Sequence, residues 1–287
     1  TAREIQERLL PHAMPDLPGY EITGTSVPSF QVGGDYFDFL ELGDGRLGVA
    51  IADVSGKGIP AALLMANLQA LLQGQVIHPS DVAGIVARIN DLLSRSTDVS
   101  RGVGIGRFAT FFYGVLERET GAFTFTNAGH NPPLLRRADG TLVELKTGGL
   151  ILGMMSGMPY AQETVTLEPG DVVVLFTDGI TEAQGPVPAL AAAAKAPAAA
   201  GKAATAAGGD GADDGGEYED DEDADDADEA DEPINLFGDD KLRDILAATG
   251  GRSAAEIRAA ILEAVREHAA EIPPSDDITL VVLRRHN

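Results

Sequence analysis

Short apolar runs of strand length in this chain are repeatedly bordered, before or after, by an aspartate next to a glycine or to a second aspartate. Four places share this feature: Gly33-Gly34-Asp35, Asp53-Val54-Ser55-Gly56-Lys57-Gly58, Thr177-Asp178-Gly179 and Ser275-Asp276-Asp277. If the strands lie side by side in one core, their ends converge, and converging carboxylates repel. Two unit charges 4 Å apart cost roughly 1 kcal/mol in bulk water and roughly 4 kcal/mol at an effective dielectric near 20. Four such groups need cations to stay ionised together, and hard divalent ions suit an all-oxygen site in a chain without cysteine. Aspartate beside glycine is also the ordinary composition of a turn or a cap. Asp44-Gly45, Asp139-Gly140 and Gly238-Asp239 read that way. On spacing alone both readings stand.

The patterning around these sites predicts many hairpin-like strands and two helix pairs. Strands are expected over Tyr20–Val27, Gly34–Leu42, Arg46–Asp53, Ala109–Glu117, Ala122–Asn127, Pro133–Arg136, Leu142–Leu145, Glu163–Leu167, Val172–Thr177 and Ile278–Leu283. Gly43-Asp44-Gly45 reads as a hairpin turn. Helices are expected over Thr1–Leu10, ended by Pro11, and over Gly58–Val76 and Ser80–Arg95. Leu64, Leu68, Leu71 and Leu72 line the first of that pair, and Val82, Ile85, Val86, Ile89, Leu92 and Leu93 the second. Two more helices, Asp239–Thr249 and Ser253–Ala269, follow. The latter opens on a capping box, Ser253 to Glu256, and carries the stripe Ile257, Ile261, Val265. Antiparallel strands with helix pairs imply an α+β layered sandwich, with helices covering the sheets. No GxGxxG or P-loop sequence is present.

The formal net charge is −24, from 21 Lys+Arg and 45 Asp+Glu. Residues 185–232 hold 15 acidic residues and 2 lysines, so −13 lies in that segment and −11 in the rest. Its Ala/Pro-rich and then Asp/Glu-rich composition has too little apolar surface to offset an ordering entropy of about 1–2 kcal/mol per residue. It is expected to be a disordered insertion, a solvated spacer or a weak binder of Ca²⁺ or basic proteins. The acidic balance argues against nucleic-acid or anionic-membrane binding. No apolar run approaches the ~20 residues of a membrane-spanning helix. The absence of cysteine excludes a disulfide framework and a thiolate nucleophile. Beginning at Thr1 without an apolar leader, the chain reads as an excised soluble, cytoplasmic fragment.

Seven stretches in order carry a family resemblance. They are Ile5–Pro11, Val32–Asp38, Ala52–Gly58, Phe108–Tyr113, Asn127–Pro133, Thr177–Ala183 and Asp276–Leu280. Through them the chain resembles the metal-dependent, PPM-type serine/threonine protein phosphatases, in the bacterial SpoIIE/RsbU-like branch. The resemblance implies an αββα sandwich of two mainly antiparallel sheets flanked by helix pairs. It implies a domain over residues 13–287, interrupted by 185–232, behind a linker or switch helix at residues 1–12. It implies two divalent cations, Mn²⁺ or Mg²⁺, held by Asp35, Asp53, Asp178 and Asp276 and by the carbonyl of Val54, with Asp53 bridging both.

Asp277 and Asp38 are expected to act as supports rather than ligands, and Gly34, Gly56, Gly58 and Gly179 to allow tight backbone there. The implied reaction is hydrolysis of phosphoserine or phosphothreonine by a metal-activated water, without a phosphoenzyme. Lys57 is a candidate general acid or a solvated loop lysine. His130 reads as a structural residue in a turn. Where eukaryotic members carry a histidine this chain has Ser55, and no upstream phosphate-binding arginine is apparent. The resemblance further implies a phosphorylated STAS-domain anti-anti-sigma protein as substrate in a partner-switching pathway, an N-terminal sensor domain in the full-length protein, and a homodimer through the N-terminal helix. The alternative is a catalytically silent or signal-gated binding module of the same fold.

Overall fold

Alternation along the strands creates three apolar layers, and two sheets separate them. In the strand Val172–Phe176, Val173 and Leu175 point into one core while Val172, Val174 and Phe176 point into another. A strand buried on both faces in this way needs cover on each side, which fixes the order helices, sheet, sheet, helices. The computed structural model describes residues 2–77, 81–97, 106–187 and 234–286. The chain divides into two units, Thr1–Gly185 with Leu236–Asn287, and Pro186–Asn235. The first is described below. The expected insertion falls almost entirely in the second, and residues 188–232 lie outside the described residues.

The elements in order are α1 (Ala2–Glu7), β1 (Tyr20–Val27), β2 (Tyr36–Glu41), β3 (Arg46–Val54), α2 (Ile59–Gln75), α3 (Val82–Thr97), β4 (Ala109–Glu117), β5 (Ala122–Ala128), β6 (Leu134–Arg136) and β7 (Leu142–Glu144). Then come β8 (Gly148–Gly149), β9 (Glu163–Thr166), β10 (Val172–Phe176), the single-turn α4 (Asp178–Thr181), β11 (Gln184–Gly185) and β12 (Asn235–Leu236). The last three are α5 (Gly238–Ala247), α6 (Ala254–Ala269) and β13 (Ile278–Arg285).

One sheet runs β1-β13-β10-β6-β7, and the other β2-β3-β4-β5-β8 with β9 also on β5. Within these two sheets every strand pairing among the described residues is antiparallel except β5 with β8. Val49, Ile51, Phe112 and Phe125 of one sheet meet Leu135, Val173, Val281 and Leu283 of the other in the central core. Leu64, Met65, Leu68 and Leu72 of α2, with Ile85, Ile89 and Leu93 of α3, cover the outer face of the β3–β4 sheet. Leu242 and Leu246 of α5, with Ile257, Ile261 and Val265 of α6, cover the other sheet. The capping box of α6 forms as expected, with Ser253 Oγ accepting from Glu256 N. Leu92, placed by periodicity on the buried stripe of α3, is instead partly exposed at 37%. The 3.6-residue period puts it at the stripe's edge, beyond the reach of the sheet.

The corner between β6, β9 and β10 rests on a buried charge. Asp171, at 1% exposure, accepts from Arg137 Nη1 at 2.7 Å and from the backbone N–H groups of Ala138 and Glu168 at 2.9 Å each. Asp171→Ala would leave these donors unpaired and should lower stability by about 3 kcal/mol. Denaturant unfolding measures this directly, and a loss under about 1 kcal/mol would show that water replaces the carboxylate.

Candidate metal centre

The ends of β3, β10 and β13 and the loop before β2 come together where the two sheets meet. Asp35 sits in that loop, Asp53 is the penultimate residue of β3, Asp178 opens α4 just past β10, and Asp276 and Asp277 directly precede β13. Each loop is tied to another by a specific contact. Thr177 Oγ1 donates to Asp35 Oδ2 at 2.8 Å and accepts from Thr279 N at 2.9 Å. Asp277 is 5% exposed. Its carboxylate accepts from Gly34 N at 2.8 Å, and from Ser29 N at 2.7 Å and Ser29 Oγ at 2.9 Å. Lys57 Nζ donates to the Ser275 carbonyl and stands 3.1 Å from Asp276 Oδ2.

Two glycines make the closeness possible. A Cβ at Gly34 would stand 2.7 Å from the carbonyl oxygen of Val54, so this loop and the end of β3 meet backbone to backbone. A Cβ at Gly179 would collide with the carbonyl oxygen of Asp277. Any larger residue at either position would push a carboxylate loop outward.

The electrostatics follow from this crowding. Burial, and then the neighbouring charge of Asp53, hold Asp35 well above the ordinary carboxylate range. Asp53 is pushed up to about 7 by burial, and next by Asp178, Asp276 and Asp277. Asp178 is raised by burial, then by Glu182 and Asp276, with Lys57 a partial counterweight. Four aspartates thus share their field with one nearby ammonium. The donors are all carboxylate or carbonyl oxygens, the chemistry that suits Mg²⁺ or Mn²⁺. Among the described residues no three acidic or imidazole side chains already close around a single point. Asp35 is turned to Thr177, and Asp276 to Lys57 and to the N–H of Asp277 at 2.8 Å. The loops are assembled and the fit to a hard cation lies in donor type and charge.

The remaining expected residues sort by what they touch. Asp277 is spent on holding Gly34 and Ser29. Asp38 is buried under α2, where it accepts from Tyr36 Oη and Phe39 N at 2.8 Å each. Gly58 precedes α2, whose second residue is Pro60. His130 is 3% exposed, and its Nδ1 pairs with Thr110 Oγ1 at 2.8 Å. Burial drives its pKa down to about 4. Nε2 lies toward the Phe176 backbone without closing a hydrogen bond. A neutral imidazole is therefore paired with Thr110 of β4.

Several supporting residues were not assigned roles by the sequence. Thr177, Thr110 and Glu182 stood inside quoted motifs without an assigned role, whereas Ser29 carried no local signal. Arg107 is another. Its Nη1 donates to the Ser55 carbonyl and its guanidinium packs over Gly56, bracing the loop after Asp53.

Two measurements follow from these charges. With a chelator present, Asp53→Asn should raise the melting temperature, because it removes a buried charge from among like charges. A lower melting temperature would mean the carboxylate is compensated. For His130, an unfolded pKa near 6.5 and a folded one of about 4 mean that the unfolded chain binds the extra proton between these values. Stability from this residue is complete above about pH 6.5 and falls as pH drops toward 4. Relative to His130→Gln, the native chain should lose about 2 kcal/mol between pH 7 and pH 5 in denaturant titrations. Parallel curves would place the imidazole in contact with water.

Comparison with known proteins agrees with this architecture. The model of the family described as Stage II sporulation protein E (SpoIIE) matches residues 43–227, a span that holds Asp53 and Asp178 but not Asp35 or Asp276. Phosphoserine phosphatase RsbU of Bacillus subtilis (strain 168) is 35% identical over 187 residues, 64% of this chain and 53% of that protein. The matched part thus spans about half the length of that relative. Among solved structures, the SiaA-PP2C domain of Pseudomonas aeruginosa superposes with a TM-score of 0.70 at 20% identity, over 99% of this chain and 94% of that one. RsbX in complex with magnesium does so with a TM-score of 0.57 at 17% identity, over 94% and 96%. These two share the fold, and the match of the family model over more than half the length settles membership: the chain belongs to the SpoIIE family of PPM-type phosphatases.

Proposed function

We propose that this chain is a divalent-cation-dependent phosphoserine/phosphothreonine protein phosphatase. The observation that carries the reading is the binding together of four aspartate loops from distant parts of the chain, with Asp53 raised to about 7 among its neighbours. A centre this short of positive charge is stabilised by cations and, once they are present, attracts a phosphate dianion. Asp35, Asp53, Asp178 and Asp276, with the carbonyl of Val54, would hold two ions, Mn²⁺ or Mg²⁺. Bound there, such ions supply Lewis-acid polarisation of the phosphate and acidification of water.

The chain's own residues do the positioning. Thr177 and Asp277 fix the loop of Asp35 from two directions, Gly34 lets it approach Val54, and Gly179 lets the Asp178 turn approach the Asp276–Asp277 turn. Lys57 balances Asp276 and stands 5.8 Å from the exposed ring of Phe30. His130, held neutral by burial, positions Thr110 beside the Asp53 carbonyl rather than moving protons in the reaction. The name of the relative RsbU, a phosphoserine phosphatase, supports a phosphoserine substrate. The family resemblance points further, to a STAS-domain partner in a partner-switching circuit, reached through a dimer governed by an N-terminal sensor in a cytoplasmic protein. Among the described residues no helix is long and apolar enough to cross a membrane.

With Mn²⁺ and a phosphoserine peptide, Asp178→Asn should reduce kcat/KM at least about 10³-fold while the protein stays folded, since it removes charge stabilisation from the transition state. Phosphate release by the variant at the native rate would overturn the proposal, whereas binding of a phosphoserine partner without turnover by the Mn²⁺-loaded native chain would favour a silent binding module of the same fold.

A further inference from the structure

The loop that carries Asp35 has a third anchor, and it comes from the beginning of the chain. The carboxamide of Gln6 pairs with the backbone of one residue in both directions. Nε2 donates to the Gly33 carbonyl at 2.6 Å, and Oε1 accepts from Gly33 N at 3.0 Å. The next amide, Gly34 N, is the one held by Asp277, and the residue after it is Asp35. Helix α1 has no buried residue, and its Ile5 is 67% exposed. The helix is followed by Leu9, whose carbonyl accepts from Gln69 Nε2 of α2, and by Leu10, which packs against both the outer and the central cores. Arg3, Gln6, Glu7, Leu10, Gly33 and Asp35 line one shallow cavity of about 80 Å³, so the helix lies directly over the loop.

We infer that Gln6 is a positioning residue for the metal centre, one that latches the N-terminal helix to the Asp35 loop. A six-residue helix with no core of its own does not hold its place by apolar burial, and is too short to be stable alone. The helix and the Gly33 end of the Asp35 loop therefore share one pair of hydrogen bonds, alongside the anchors at Leu9 and Leu10 and at Asp277 and Thr177. Whatever displaces α1 frees the backbone of Gly33 and loosens the carboxylate two residues on. This extends the proposed phosphatase reading, because it treats Asp35 as a ligand.

Two readouts in the whole chain separate the latch from that reading. In Gln6→Ala, amide hydrogen exchange at Gly33, Gly34 and Asp35 should accelerate about tenfold, with β3 and β13 unchanged, and Mn²⁺ affinity measured by calorimetry should fall about tenfold. Ile5→Ala, on the exposed side of the same helix, should alter neither. Unchanged exchange at residues 33–35, or acceleration spread through β3 and β13, overturns the latch. If the native chain binds no Mn²⁺, the metal reading fails while the exchange result still decides the role of Gln6.

Discussion

Mutual repulsion among carboxylates that burial forces together is the constraint around which this molecule is arranged. Asp35, Asp53 and Asp178 are each held above the ordinary carboxylate range, first by loss of water and then by neighbouring carboxylates. A site of this kind cannot rest on the carboxylates themselves. It needs a frame rigid enough to keep them close against their preference to separate. The two stacked sheets are that frame, because β3, β10 and β13 are buried along their length and cannot retreat.

Between the frame and the charges lies a layer of small polar groups. Asp277 spends its carboxylate on Gly34 and Ser29, Thr177 bridges Asp35 to β13, and Lys57 spans Ser275 and Asp276. His130 and Thr110 pair just behind Asp53. Each contact joins residues far apart in the chain, so the centre is complete only when the whole sandwich has formed. Of the total charge of −24, −13 belongs to residues 185–232. The part that matters for chemistry is the handful of aspartates that the fold refuses to let apart.

The layered fold was legible because its cause is local. Period-two alternation marked β1 and β4 to the residue, and the stripe Ile257, Ile261, Val265 marked the buried face of α6. Very short elements escaped, among them β8 and α4, since two to four residues carry no period to read. At the centre, residue types beside glycine pointed to Asp35, Asp53, Asp178 and Asp276, but spacing alone left turn and ligand undivided. The family resemblance favours the ligand reading at the level of chemistry, and long-range contacts bring the loops that carry these residues together. Ser29 was invisible in the sequence because its partner lies 248 positions away. Gln6 was visible only as part of a helix, because nothing local says that its amide will find Gly33.

The central claim is that these aspartates form one cation centre, and anomalous diffraction tests it most directly. Crystals grown with Mn²⁺ and measured at the manganese edge should show density enclosed by Asp35, Asp53, Asp178 and Asp276, beside the carbonyl of Val54. Their side chains should be rotated from their present partners toward it. An anomalous map with no peak there, at Mn²⁺ concentrations that support turnover, would contradict the account.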